Sequence, residues 1–242
     1  MKTKKRIHYK NPTIIEAVIE VRFATLIDNH AAVKAFESKY ECKKDNLVAY
    51  TALFQPDGVS ISPNRLEQIR LRFAIKEQVS VQLYPDKFSF HWVGKYPGWD
   101  IFQPEFERFW KELCKIFPDL KGNRVGVRFI NLVEQKTTQQ KIGYWLKKST
   151  NYPQSILSAK TGYFYTLKKP LKKGRSVQIF IAEGEPRIEQ TKPLIFDIDI
   201  VENIDKSTRS SLANITESLH EEISTIFQGS ISINYKKLLK RS

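Results

Sequence analysis

The chain has 242 residues, 41% hydrophobic and 12% aromatic, with a formal net charge of +14. That is enough for one large domain or two small ones with a packed core. No apolar run approaches the roughly 18 residues that span a bilayer, and the basic start MKTKKRIHYKNP has no apolar stretch behind it, so no signal peptide is expected.

Residues 1–13 read as a basic arm, closed by Asn11-Pro12, where a residue without an N–H sets a clean strand start. Ile14 to Phe23 alternates with period two: Ile15, Ala17, Ile19, Val21 and Phe23 on one side, Ile14, Glu16, Val18, Glu20 and Arg22 on the other. That is the pattern of a half-buried strand, expected over about 14–25. His30 to Tyr40 predicts a short helix, with Ala32, Val33, Phe36 and Tyr40 at helical spacing. Val48 to Phe54 is extended, and Gln55 to Asn64, with Pro56, Gly58 and Pro63, predicts a loop. Gln68 to Ile75 is a strand with Arg70 and Arg72 on its polar side. Val79–Tyr84 and Phe88–Val93 predict a hairpin turning at residues 85–87. Trp99 to Phe117 predicts a long helix with an aromatic core stripe.

The second half starts over. Arg124 to Glu134 is a strand like the first, Lys141 to Lys148 a short helix, and Tyr163–Lys168, Val177–Ala182 and Leu194–Val201 are strands. Ser207 to Phe227 predicts a long helix, with Gly229 as its stop. Ile231 to Tyr235 reads as a final short strand before a basic tail. Val21-Arg22-Phe23 recurs as Val127-Arg128-Phe129, 106 positions later, and the long helices are spaced almost equally. The expectation is an α+β fold. A duplicated strand–helix–strands–helix unit, 1–121 and 122–242, forms one compact domain with a curved, mainly antiparallel sheet and helices packed on one face.

The segment NPTIIEAVIEVRF resembles the N-terminal signature of a sporadically distributed bacterial family of uncharacterised proteins, about 250 residues long. That signature reads close to N-P-P-I-x-E-A-V-x-E-x-R-F. Here Thr13 replaces the second Pro, and Asn11, Pro12, Ile14, Glu16, Ala17, Val18, Glu20, Arg22 and Phe23 match. RVGVRFINLV (124–133) and LHEEISTIFQGSI (219–231) are also similar to that family. The resemblance implies a bacterial, soluble, accessory-type protein, and the family's sporadic distribution suggests a defence or toxin–antitoxin module.

Charge and cysteine usage refine the picture. Five basic residues lie in 1–10 and four in 231–242, without an acid in either segment, which leaves +5 for the body. Lys168, Lys169, Lys172, Lys173 and Arg175 read as a solvated hairpin tip. Cys42 and Cys114 lack a paired spacing and predict buried free thiols in a reducing cytoplasm. His8, His30, His91 and His220 show no metal-binding spacing, and His220, beside Glu221 and Glu222, reads as an exposed helix histidine. No Walker loop, G-x-G-x-x-G or G-x-S-x-G is present, and no metal or other cofactor is expected.

Strand parity gathers one charged face: Glu16, Glu20, Arg22, Arg70, Arg72, Arg124, Arg128, Asp197 and Asp199. The bland reading is a solvated face whose opposite charges pair across strands. The functional reading is a binding surface. The expectation is a non-enzymatic cytoplasmic binding protein that engages a protein partner or nucleic acid through this face and the basic tails. The competing enzymatic reading is a tunnel-type triphosphate-binding or triphosphate-hydrolysing enzyme. Glu20-x-Arg22, Arg70-x-Arg72 and Asp197-x-Asp199 partly fit its acid and cation pattern, with Val18 in place of the first metal-binding acid.

Overall fold

The computed structural model describes residues 9–55, 58–134, 141–148, 151–184, 192–204 and 211–239, without the side chains of 29, 44–55, 58–70 and 211. Expectations for residues 1–8, 207–210 and 240–242 and for the side chain of Arg70 lie outside this set.

Within it the chain is α+β, with nine strands in one antiparallel sheet and five α-helices. The strands are β1 (Ile14–Phe23), β2 (Glu41–Gln55), β3 (Gly58–Lys76), β4 (Val79–Leu83), β5 (Lys87–Val93), β6 (Gly122–Val133), β7 (Phe164–Pro170), β8 (Arg175–Glu183) and β9 (Leu194–Asn203). The helices are α1 (Asn29–Phe36), α2 (Trp99–Ile116), α3 (Gln154–Ser158), α4 (Ser211–Ser230) and α5 (Ile233–Leu239), with a short 3-10 turn at Ile142–Tyr144. The sheet order is β2-β3-β4-β5-β1-β6-β9-β8-β7. The first strand of the sequence therefore sits in the middle, paired antiparallel with β5 and β6. Among the described residues no helix is long and apolar enough to cross a membrane.

Alternation in the strands explains the core. Ala17, Ile19 and Val21 of β1, Phe88 and Phe90 of β5, Val125 and Val127 of β6, and Phe196, Ile198 and Ile200 of β9 are essentially solvent-free. α2 lays its aromatic stripe on them. Phe88 stacks on Phe106 and Trp110, with ring centroids 5.8 and 5.4 Å away, and Phe90 meets Phe102 at 5.7 Å. α4 packs on β6 and β9 through Leu219 and Ile223, both buried, and is tied to α2 where the Trp99 indole N–H donates to Glu217 at 2.7 Å. α1 starts at Asp28, whose carboxylate accepts the His30 N–H at 2.8 Å. It ends at Phe36, and Tyr40 reaches the same aromatic cluster from the turn that follows.

Five expectations change. The predicted loop 55–64 is mostly strand: β3 begins at Gly58 and pairs with β2. Pro63 is tolerated because β4 joins β3 only from Leu71 onward, which leaves this stretch one open flank. Ile231–Tyr235 is not a strand. Ile231 makes a single bridge to Leu146, and α5 starts behind Ser232, whose hydroxyl accepts the Tyr235 N–H at 3.2 Å. Gly229 does not stop α4, which runs to Ser230. A register shift between Ile14 and Glu16 pairs Ile14 with Asn131, so Ile14 packs against the core and leaves the charged face. Arg175 is no solvated tip. Its guanidinium is held by Glu202 at 2.7 Å and Glu222 at 2.8 Å.

Candidate functional site

The face of the sheet that carries the charged residues is built outward from β1. Across the ladders, Glu20 lies opposite Ser89 of β5 and Gly126 of β6, and Val18 lies between His91 and Arg128. Arg22 lies between Lys87 and Arg124, while Arg128 faces Asp199 of β9 and Ile130 faces Asp197. Three clusters result.

Glu20 gathers cations: Lys87 Nζ at 2.8 Å, Arg22 Nε at 3.4 Å and Arg124 Nη1 at 3.8 Å. Burial pushes its pKa up, but the Lys87 hydrogen bond and the surrounding positive charges outweigh this and hold it below the ordinary glutamate value.

On the β9 side, Arg128 forks onto Asp197. Its Nε donates to both carboxylate oxygens at 3.0 Å, and Nη2 approaches Oδ2 at 2.5 Å. Burial raises the Asp197 pKa against the pull of Arg128. Asp199, without such a fork, is pushed up to about 6 by burial, with Arg128 opposing and Asp197 adding repulsion.

The third cluster is a chain of three. His91 Nδ1 lies 2.7 Å from Glu16 Oε1, and His91 Nε2 lies 2.7 Å from Ser89 Oγ. The His91 hydrogen bond is the main reason Glu16 sits below the ordinary carboxylate value.

In the first two clusters one arginine stands above its acid. The Asp197 side chain is 7% exposed beneath an Arg128 that is 47% exposed, and Glu20 is 27% exposed beneath an Arg22 at 46%. Short carboxylates fix the stems of long cations and leave guanidinium edges toward solvent, a geometry suited to anions.

The structure thus brings Glu16, Glu20, Arg22, Arg124, Arg128, Asp197 and Asp199 together on adjacent strands. Arg70 and Arg72 stand apart. Arg72 is exposed on β3, between Lys43 and Gln82, three strands from β1. Along the sheet β3 and β9 are five steps apart, roughly 24 Å at the usual strand spacing. Among the described residues no three His, Cys, Asp or Glu side chains are placed to hold a metal ion.

Ser89, His91 and Lys87 escaped the sequence reading, although a signal was present. With Phe88, Phe90 and Trp92 pointing into the core, their neighbours on β5 must face the charged side. His220 was also misjudged. It is partly buried and stacks on Trp99, with centroids 4.2 Å apart and planes 2° from parallel. That pair lines a cavity of about 1170 Å³, which also touches Trp92, Phe129, Lys10 and Lys95.

No protein-family model matches the chain, and no curated protein sequence matches it either.

Proposed function

We propose that this is a bacterial binding protein, of the sporadic family its first strand resembles, whose charged sheet face takes an anionic partner, nucleic acid in first place. The observation that carries this reading is the layering of the face: exposed guanidinium groups of Arg22 and Arg128 over sunken Glu20 and Asp197. Lys87 and Arg124 lie level with Glu20, but Arg22 and Arg128 stand above their acids. Here the surface presented to a partner is more basic than the residue count suggests, and the net charge of +14 adds a long-range pull. A cytoplasmic site of action, the absence of a cofactor and a role in a defence module belong to the same proposal. The tunnel-type enzyme is the weaker reading, because Glu20 and Asp197 are already taken by cations and Arg72 lies far from the paired acids.

Duplication of the unit and helices on a single face complete the proposal. In each half the sheet order runs outward from the first strand through the last and then backward: β1-β5-β4-β3 and β6-β9-β8-β7. A shift of 106 positions carries Glu20 onto Gly126, and these two face each other in the β1–β6 ladder, as a twofold relation between halves requires. α2 and α4 both pack on the apolar side of their strands.

The test is nucleic-acid binding at several salt concentrations. Affinity is expected to fall by orders of magnitude between about 50 and 200 mM salt, and Arg22→Ala and Arg128→Ala each to lower the log–log salt slope by about one. No binding even at low salt would point to a protein partner instead, and binding that ignores salt or survives both changes would rule out this face as the site.

A further inference from the structure

The structure assigns a second role to this face: we propose that Ser89 is a nucleophile, His91 its general base and Glu16 the residue that positions His91, acting on carboxylic esters that bear a negative charge. This departs from the expectation of a non-enzymatic protein and does not depend on nucleic-acid binding.

The geometry is a relay. A serine hydroxyl is a poor nucleophile until a neighbouring base takes its proton, and the base works best when a third group fixes its orientation. Ser89 Oγ is 2.7 Å from His91 Nε2, and His91 Nδ1 is 2.7 Å from Glu16 Oε1. Both lie within reach for proton transfer. With His91 neutral, Nδ1–H donates to Glu16 and Nε2 accepts the serine proton, the protonation that nucleophile activation requires.

Placement strengthens the case. Ser89 and His91 are on β5, held between β4 and β1, so the pair rides on rigid backbone. Ser89 is 5% exposed and the His91 side chain 12%, which shields the relay from competing water and strengthens its hydrogen bonds. His91 is flanked by Ser80 on β4 and Val18 on β1, neither of which carries a charge. Glu16 is thus the charged group that meets the ring directly.

The surroundings select the substrate. Glu20, directly opposite Ser89, holds Lys87, Arg22 and Arg124, and Arg128 lies across Val18 from His91. Cations on both flanks favour an ester with an anionic group and stabilise the negative charge that develops on the attacked carbonyl oxygen.

The reaction balances without another reagent. Ser89 Oγ bonds to the acyl carbon while its proton passes to His91 Nε2. The tetrahedral intermediate expels the alkoxide, which takes that proton and leaves as the alcohol. Water, deprotonated by His91, then attacks the acyl-serine, the acid leaves, and Ser89 recovers its proton.

The experiment is labelling of the full chain with a fluorophosphonate probe, followed by peptide mass spectrometry. Folded wild-type protein is expected to be labelled at Ser89, and not after heat denaturation. His91→Gln is expected to slow labelling about 100-fold or more at unchanged melting temperature. Glu16→Gln is expected to shift the midpoint of the rate-versus-pH profile, which a purely structural carboxylate would leave in place. 4-Nitrophenyl hemisuccinate should then turn over about tenfold faster than 4-nitrophenyl acetate. No label on wild-type Ser89, or a label indifferent to His91, overturns the assignment. Equal rates on the two esters overturn the substrate class.

Discussion

The two faces of the sheet use the same strands for opposite ends. On the apolar face, neighbours are interchangeable in kind: Phe23, Phe106, Phe109 and Trp110 all stack on Phe88, and each gains from apolar area and ring contact. On the charged face each residue has a specific counterpart. Glu20 needs Lys87, Arg128 needs Asp197, and His91 needs both Glu16 and Ser89. The first face supplies stability, and the second spends part of it to hold polar groups in fixed positions. Function should therefore be separable from folding, one residue of a β strand at a time.

The sharpest way to break that contrast is Phe88→Ala. The ring is fully buried among four aromatic partners, so the cost is expected at about 3–5 kcal/mol, read by chemical denaturation. A cost below about 1 kcal/mol would mean the apolar face does not dominate stability.

Next comes Asp199→Asn. Burial raises this carboxyl to about 6, so the native state holds a proton that the unfolded chain has already lost. Its contribution is fully present below about pH 4 and is lost as pH rises to about 6. The amide removes that loss. Asp199→Asn is expected to be the more stable protein near pH 7.5, by at most about 3 kcal/mol, and no more stable near pH 4. Thermal melts at the two pH values check this, and equal effects at both would mean the carboxyl is not held protonated.

The smallest effect sharpens the contrast from the other side. The Glu20–Lys87 pair is partly exposed, so a double-mutant cycle with Glu20→Gln and Lys87→Met is expected to give a coupling of about 0.2–1 kcal/mol. A larger value would make the charged face a stability element in its own right.

The sequence revealed the faces better than the neighbours. Alternation in β1 and β9 placed Glu20, Arg22, Asp197 and Asp199 correctly, because side-chain direction follows from period two within a strand. It could not show that Arg72 lies three strands from β1, since strand order depends on partners far along the chain. Ile14 was misplaced for a related reason: the bulge that turns it is a property of the β1–β6 pair. Pro56, Gly58 and Pro63 suggested a loop because breaker residues act locally, while the β2–β3 ladder is a longer-range gain that overrides them. Ser232-Ile233-Asn234-Tyr235 alternates like a strand, but Ser232 caps a helix, and that serine was the missed local signal.

One contact has a topological consequence. The Asn11 N–H donates to the Leu239 carbonyl at 3.1 Å, so the two ends of the described fold touch backbone to backbone. The described backbone between them nearly forms a ring. A reordered gene that bridges these two points and opens the β7–β8 turn, where Lys173 and Gly174 take positive φ, should trace the same nine strands in the same order across the sheet. Such a permuted chain would carry its new ends at the basic hairpin and would free the Asn11–Leu239 junction for a fused reporter.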